Sequence, residues 1–210
     1  MLFRRITYAI LNLLLPQSTF EKRLALYTPE LLSEKLLMRE HADALVLFDY
    51  DDPLIKQLIW ALKYRKNMHA VELCSKILAD VLKKDMAQRK LFSSKPVLLV
   101  PIPLSPQRAW ARGYNQMDLV LTKLLEYMDA SEYAPRALEK ERETTPQTGL
   151  SKAERLKNLH DAFIVPKPEL LSGRIVYLFD DVTTTGTTLN EAKRALEQAG
   201  ATVFSVALAH

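Results

Sequence analysis

Five of the six residues from Thr183 to Thr188 are threonine, and the sixth is Gly186. An apolar run, Val176-Tyr-Leu-Phe, leads into them through two adjacent carboxylates, Asp180 and Asp181, and Leu189 opens a helical pattern after them. The order is a buried strand, two acids, a hydroxyl-rich turn and a helix. Backbone N–H groups at a helix start lack intrahelical partners, and the helix dipole favours an anion there. Glycine lets the backbone approach a ligand closely. Thr183, Thr184, Thr185, Gly186 and Thr187 therefore suit a phosphate monoester. Carboxylates at the end of a strand lie where ligands bind in open α/β sheets. A sugar diol beside the phosphate would use acids and turn together. Adjacent strand residues point to opposite faces, so one of the two aspartates is expected to meet the ligand directly. The alternative is a plain turn whose threonines cap a helix, although one Ser or Thr is enough for a cap. No lysine follows Gly186 as in a Walker A loop, and a three-glycine dinucleotide fingerprint is absent.

These residues need a scaffold of alternating strands and helices. Val97-Leu-Leu-Val-Pro-Ile-Pro reads as a buried parallel strand stopped by prolines. A helix is expected over residues 115–128, and short strands over 162–165 and 174–179. A further helix over 189–199 ends at Gly200 and leads to a last strand over 202–208. Strand, helix, strand in this order predicts a parallel sheet. Residues 139–158 hold no apolar run and read as a long polar loop, the kind that carries function or moves. Upstream, Thr28-Pro29 and Asp52-Pro53 each open a helix, with a short strand at Leu45–Tyr50 between them. Leu54, Ile55, Leu58, Ile59 and Leu62 form one helical face, and residues 70–84 repeat the pattern around Cys74, which reads as core packing. Lys83-Lys84-Asp85 and Arg89-Lys90 read as a solvated linker.

The 210 residues are 48% hydrophobic and 26% charged, which excludes a disordered chain. The net charge of +4 permits an anionic ligand but falls short of a DNA-coating surface. One cysteine excludes an intramolecular disulfide and a multi-cysteine metal cluster. His41, His69, His160 and His210 show no ligand spacing. Ile6 to Leu15 is too short an apolar stretch to span a bilayer and reads as a docking helix, with weak membrane-surface association and export as alternatives. A cytoplasmic protein without stable membrane insertion is expected.

Asp180 to Thr187 resembles the phosphoribosyl-diphosphate (PRPP) motif of type I phosphoribosyltransferases. The wider resemblance is to the ComF family. It is carried by Tyr50, Ile55-Lys-Gln-Leu-Ile, Leu62-Lys-Tyr-Arg, Val100-Pro-Ile-Pro-Leu, Arg108-Ala-Trp-Ala-Arg-Gly-Tyr-Asn-Gln, Arg142-Glu-Thr-Thr-Pro-Gln and Arg155-Leu-Lys-Asn-Leu. It covers residues 45–210 and implies an α/β fold, a Rossmann-like parallel-sheet core under a small hood drawn from Tyr50–Arg65 and Ala201–His210. By the resemblance, Thr183 to Thr187 hold the 5-phosphate of PRPP. Asp180 and Asp181 face the ribose hydroxyls, directly or through Mg²⁺. Pro101, Ile102 and Pro103 form the pyrophosphate loop, with Arg108 and Arg112 as its cationic contacts. Arg142 reaches pyrophosphate from a closing loop, with Gln147 and Arg155 as weaker candidates, and Lys140 stands where the family often has arginine. Asn115 is a helix cap or a ligand. Residues 1–44 carry no cysteine, so the family's zinc ribbon is replaced by a helical extension and no zinc is expected. The implied activity is transfer of phosphoribose from PRPP and Mg²⁺ to a small nitrogen nucleophile, in nucleotide metabolism. The alternatives are a PRPP- or nucleotide-binding module without turnover and a competence (DNA-uptake) accessory protein. Single-strand DNA binding through Trp60, Tyr64, Trp110 and Tyr114 near Lys63, Arg65, Arg108 and Arg112 is a third reading, less favoured than hood or core packing.

Overall fold

The computed structural model describes residues 24–89, 95–129, 131–140 and 162–210. Thr28 caps the short helix α1 (Pro29–Ser33), its Oγ1 accepting from the Leu31 N–H. A hairpin of β1 (Arg39–His41) and β2 (Ala44–Phe48) follows. Asp52 caps α2 (Pro53–Arg65), accepting from the N–H groups of Leu54 and Ile55. Asn67 caps the long α3 (Met68–Gln88). Then come β3 (Val97–Pro101), α4 (Pro106–Arg112), α5 (Gln116–Leu124) and β4 (Ser131–Tyr133). A separate ribbon pairs β5 (Glu139–Lys140) with β6 (Phe163–Ile164). The chain closes with β7 (Ile175–Val182), α6 (Thr187–Gln198) and β8 (Thr202–Ala209).

The main sheet has the order β1-β2-β8-β7-β3-β4. Its β2–β8, β8–β7, β7–β3 and β3–β4 pairs are parallel, and only β1 runs antiparallel. Strand alternation divides the core in two. Val176 and Leu178 of β7 pack with Val46, Leu98, Val100 and Val203 under Leu189, Ala192 and Leu196 of α6. Tyr177 and Phe179 pack on the other face with Leu47, Leu99 and Leu208 under α2, α3 and α5. The result is the three-layer α/β sandwich expected from the sequence.

Several local expectations change. The solvated linker at residues 83–89 is the end of α3, where the buried Asp85 carboxylate accepts from Tyr177 at 2.6 Å and from Arg89. Ala201–His210 is no hood: its strand β8 lies between β2 and β7 in the middle of the sheet. Residues 24–44, assigned to the extension, contribute Leu24 and Leu32 to the main core and β1 to the main sheet. Lys140, placed at the start of the polar loop, pairs with Phe163 across the ribbon. Cys74 is buried, and desolvation pushes its thiol up to about 12, in keeping with core packing. The apolar stretch of residues 6–15 lies outside the described residues, among which no helix is long and apolar enough to cross a membrane.

Candidate functional site at the β3–β7 crevice

β3 and β7 are neighbours, but the chain leaves them in opposite directions. From β7 it crosses through α6 to β8, and from β3 it passes through α4 and α5 to β4. That divergence is a topological switch point, where open α/β sheets leave a ligand crevice beyond the strand ends. The two loops singled out in the sequence, Pro101–Pro103 and Asp180–Thr187, leave the sheet at this edge, where Pro101 is paired with Phe179.

Asp180 continues the row of Val176 and Leu178, whereas Asp181 continues the row of Tyr177 and Phe179 toward α2 and α5. The two carboxylates part accordingly. Asp181 is buried: its Oδ1 lies 2.7 Å from the Lys63 ammonium on α2, and its Oδ2 accepts from the Gln116 side chain on α5. Gln116 in turn accepts from Arg112. Asp180 is half-buried, and its Oδ1 accepts from the Asp181 N–H at 2.8 Å. Burial raises the Asp180 carboxyl well above the ordinary range, the neighbouring Asp181 charge raises it further, and Lys63 and Arg108 partly oppose both. Asp180 is thus the member of the pair that retains access to the crevice.

Gly186 occupies the N-cap position of α6 with φ +74°. Having no side chain, it cannot supply the acceptor that Ser or Thr usually gives the first-turn amides. The threonines do not take that role at the cap: Thr185 and Thr187 share a hydroxyl–hydroxyl bond of 2.7 Å, and the Thr183 N–H is held by Ala209. The Thr184 carbonyl is pinned from outside, by His41 Nε2 at 2.9 Å and His210 Nε2 at 3.1 Å. The two rings lie 3.7 Å apart between centroids, and Arg39 bonds His210 Nδ1 at 2.8 Å. Arginine can only donate, so Nδ1 is an acceptor and His210 presents its Nε2–H to Thr184. A Cβ at Gly186 would lie 2.3 Å from the Ala42 Cβ in the β1–β2 turn. Glycine is required here by its φ and by the hairpin, rather than by the ligand alone.

The turn Pro101–Pro103, which the resemblance marks as a pyrophosphate loop, has its backbone groups engaged. Prolines 101 and 103 have no N–H. The Ile102 N–H donates to Phe179, and its carbonyl accepts from Asn115. Asn115 also caps α5 through Met117, so it braces the turn as well as starting the helix. Cationic contact with an anion at this edge therefore falls to the side chains of Arg108, which is exposed, and Arg112. Arg142, Gln147 and Arg155 lie outside the described residues.

Lys63, Gln116, His41 and His210 carry contacts that the sequence reading did not assign. Lys63 left a trace: it extends the buried Ile55–Ile59 row by one more i+4 step, and a cation in such a row needs a buried anion. The histidines left none, because β-pairing of remote segments brings them together.

Residues 75–210 match the phosphoribosyl transferase domain model. The chain belongs to the phosphoribosyl transferase domain family, in its ComF branch. It is 33% identical over 159 residues to the DNA utilization protein YhgH of Salmonella typhimurium, covering 75% of this chain and 67% of that one. It is 39% identical over 107 residues to competence protein F of Haemophilus influenzae, covering 50% of this chain and 46% of the relative, so it spans under half of that protein's length. Competence protein ComFC of Streptococcus pneumoniae is 34% identical over 130 residues, 61% of this chain and 52% of the relative. Among solved structures, an allosteric regulatory enzyme of purine biosynthesis aligns with a TM-score of 0.38 and 20% identity, over 71% of this chain and 30% of its own. A hypoxanthine phosphoribosyltransferase from Staphylococcus aureus aligns with a TM-score of 0.35 and 16% identity, over 66% of this chain and 61% of its own.

Two predictions follow from this geometry. Gly186→Ala combines a left-handed residue with a clash, and denaturant melts should show a loss of about 2–4 kcal/mol. Adding Ala42→Gly removes one partner of the clash and should restore part of it; a double variant no better than the single one would refute the contact. Asp180 is the opposite case. Its folded carboxyl is raised, so the native state holds a proton longer than the unfolded chain. The group costs nothing below the ordinary carboxylate range, and its cost grows as pH rises toward the raised value. Asp180→Asn should stabilise the protein by about 1 kcal/mol above neutrality and not at acid pH. An equal effect at both ends of a pH series of melts would contradict the assignment.

Proposed function

We propose that the chain binds PRPP, as its magnesium complex, and transfers the phosphoribosyl group to a small nitrogen nucleophile. One observation carries this reading: a helix start capped by a positive-φ glycine stands beside a half-buried carboxylate at the sheet's switch point. An anion cup and a diol acceptor side by side match the two ends of a ribose 5-phosphate. In this reading the backbone from Thr184 to Thr187 takes the 5-phosphate, and Asp180 takes the ribose hydroxyls. Arg108, Arg112 and Arg142 neutralise the departing pyrophosphate. The C1–oxygen bond breaks with its electron pair leaving on pyrophosphate, the nitrogen lone pair forms the new C1–nitrogen bond, and the proton of that nitrogen passes to the released pyrophosphate. In this reading the Asp180 carboxylate stabilises the positive charge that develops on the ring. A cytoplasmic setting and a place in nucleotide metabolism go with this activity.

The protein side of a magnesium site fits poorly. Both Asp181 oxygens already have partners, and one Asp180 oxygen accepts a backbone N–H. Among the described residues no three His, Cys, Asp or Glu side chains are grouped to hold a metal. The magnesium of this proposal belongs to the substrate, chelated by its pyrophosphate.

Calorimetry with PRPP, followed by a pyrophosphate-release assay against a panel of nucleobases and amines, tests the proposal. Binding with release for a restricted set of acceptors is the expected result. Binding without release under any condition would leave a PRPP- or nucleotide-binding module instead, and no binding would remove the phosphoribosyl reading.

A second reading rests on the adjoining surface of α2 and α4, which shares Arg112 with the first. Trp110 is 74% exposed, Arg112 lies 5.6 Å over the Tyr64 ring and Arg65 lies 5.0 Å over Trp60. Arginine and aromatic groups so arranged suit stacking on single-stranded nucleic acid, and relatives carry the names DNA utilization protein and competence protein. A gel shift on single-stranded DNA that weakens with salt and falls about tenfold in Trp110→Ala would support it. An unchanged shift in that variant would exclude this surface.

A further inference from the structure

We propose that Lys63 is the resident counter-cation of the strand-end carboxylates, so that the ribose end of the site works without a divalent ion on the protein. The proposal rests on the phosphoribosyl reading for its ligand, but not for the ion pair itself.

The Asp181 side chain is 6% exposed. A carboxylate so far from water needs a charge partner and hydrogen bonds to stay ionised. It has both: the Lys63 ammonium at 2.7 Å on Oδ1 and the Gln116 amide on Oδ2. Lys63 is itself only 19% exposed along its side chain. Its position is built rather than incidental. Lys63 lies in the last turn of α2, and Tyr114 fastens that turn by donating to the Leu62 carbonyl at 2.7 Å and accepting from the Lys66 N–H at 3.0 Å. Arg112 covers Tyr64 on the same turn while donating to Gln116. The helix end therefore delivers one positive charge to one carboxylate oxygen.

That charge occupies the place where a metal would bind. Magnesium needs several hard oxygen ligands in a tight octahedron. At Asp181 it would have to displace an ammonium and an amide, against the repulsion of the ammonium's own charge. The Lys63 charge also acts on Asp180, opposing the effect of burial on that carboxyl. One lysine thus pairs with Asp181 and partly offsets the burial of Asp180. The ligand class follows: a phosphorylated sugar with a free diol, bound equally well with and without divalent ions when it brings no pyrophosphate of its own.

Lys63→Met keeps the stem and removes the charge. The full-length protein is titrated with Mn²⁺ and followed by electron paramagnetic resonance. The wild type should show no tight site, and the variant should gain one at least about tenfold tighter, lost again when Asp181→Asn is added. Lys63→Arg should behave as the wild type. In parallel, ribose 5-phosphate is titrated by calorimetry in EDTA and in Mg²⁺. Wild-type affinity should not change, whereas that of Lys63→Met should fall about tenfold in EDTA. If Lys63→Met does not fold, Lys63→Gln carries the same comparison. A Mn²⁺ site on the wild-type carboxylates, or none gained by the uncharged variant, would overturn the proposal. If ribose 5-phosphate binds neither protein, the phosphoribosyl reading fails, and the Mn²⁺ titration alone still decides the role of Lys63.

Discussion

A strand covered on both faces cannot place two successive side chains on the same side, and this constraint organises the site. Through Phe179 the alternation of β7 serves only packing, with even positions under α6 and odd positions under α2, α3 and α5. When the strand ends in Asp180-Asp181 the same alternation sends two charges into two environments. The odd one is carried into the layer of α2 and α5 and must be neutralised there, which Lys63 and Gln116 do. The even one stays at the crevice, with a carboxyl raised by burial and by its neighbour. The like-charge proximity of the pair is a consequence of chain continuity. The asymmetry of its roles is a consequence of the pleat.

The loop beyond the strand is held in a similar way, by segments remote in the chain. The β1–β2 turn carries Ala42 and Asp43 at φ +48° and +60°, a conformation that two-residue hairpin turns usually reach with Asn or Gly. That local cost persists because the surroundings over-determine it. Ala42 abuts Gly186, and His41 and His210 converge on the Thr184 carbonyl. The threonine loop is thereby fixed from its outer side, while Thr185 and Thr187 bond each other and no side chain caps the first turn of α6.

Local signals in the sequence recovered what depends on local physics. The apolar runs at 97–100 and 176–179 are strands, Thr28, Asp52 and Asn115 cap helices, and the i, i+3, i+4 face of Ile55, Leu58, Ile59 and Leu62 is buried. Boundaries shifted where side chains do not decide them: α6 begins at Thr187, two residues before the first apolar position, because Gly186 sets the cap. Elements without an apolar signature stayed hidden. β1 is Arg-Glu-His, and α4 buries no residue at all. Of the site, the acids and the threonine turn were visible as a motif, while their partners were not. Lys63, Gln116, His41 and His210 acquire their roles only through contacts between segments far apart in the chain, and no periodicity reports those.

A lysine and a metal ion can each counter a carboxylate but differ in what controls them. An ion exchanges with solvent. Lys63 is carried by α2, whose last turn is tied through Tyr114 and Arg112 to α4 and the turn that follows it. Displacing that turn far enough to separate Lys63 from Asp181 would leave a buried charge without its partner, at a cost of about 3–5 kcal/mol. The charge beside Asp181 and the position of the end of α2 are therefore linked. The α2–α4 corner and the two carboxylates are thus joined through covalent and packed structure, by Tyr114, Arg112, Gln116 and Lys63.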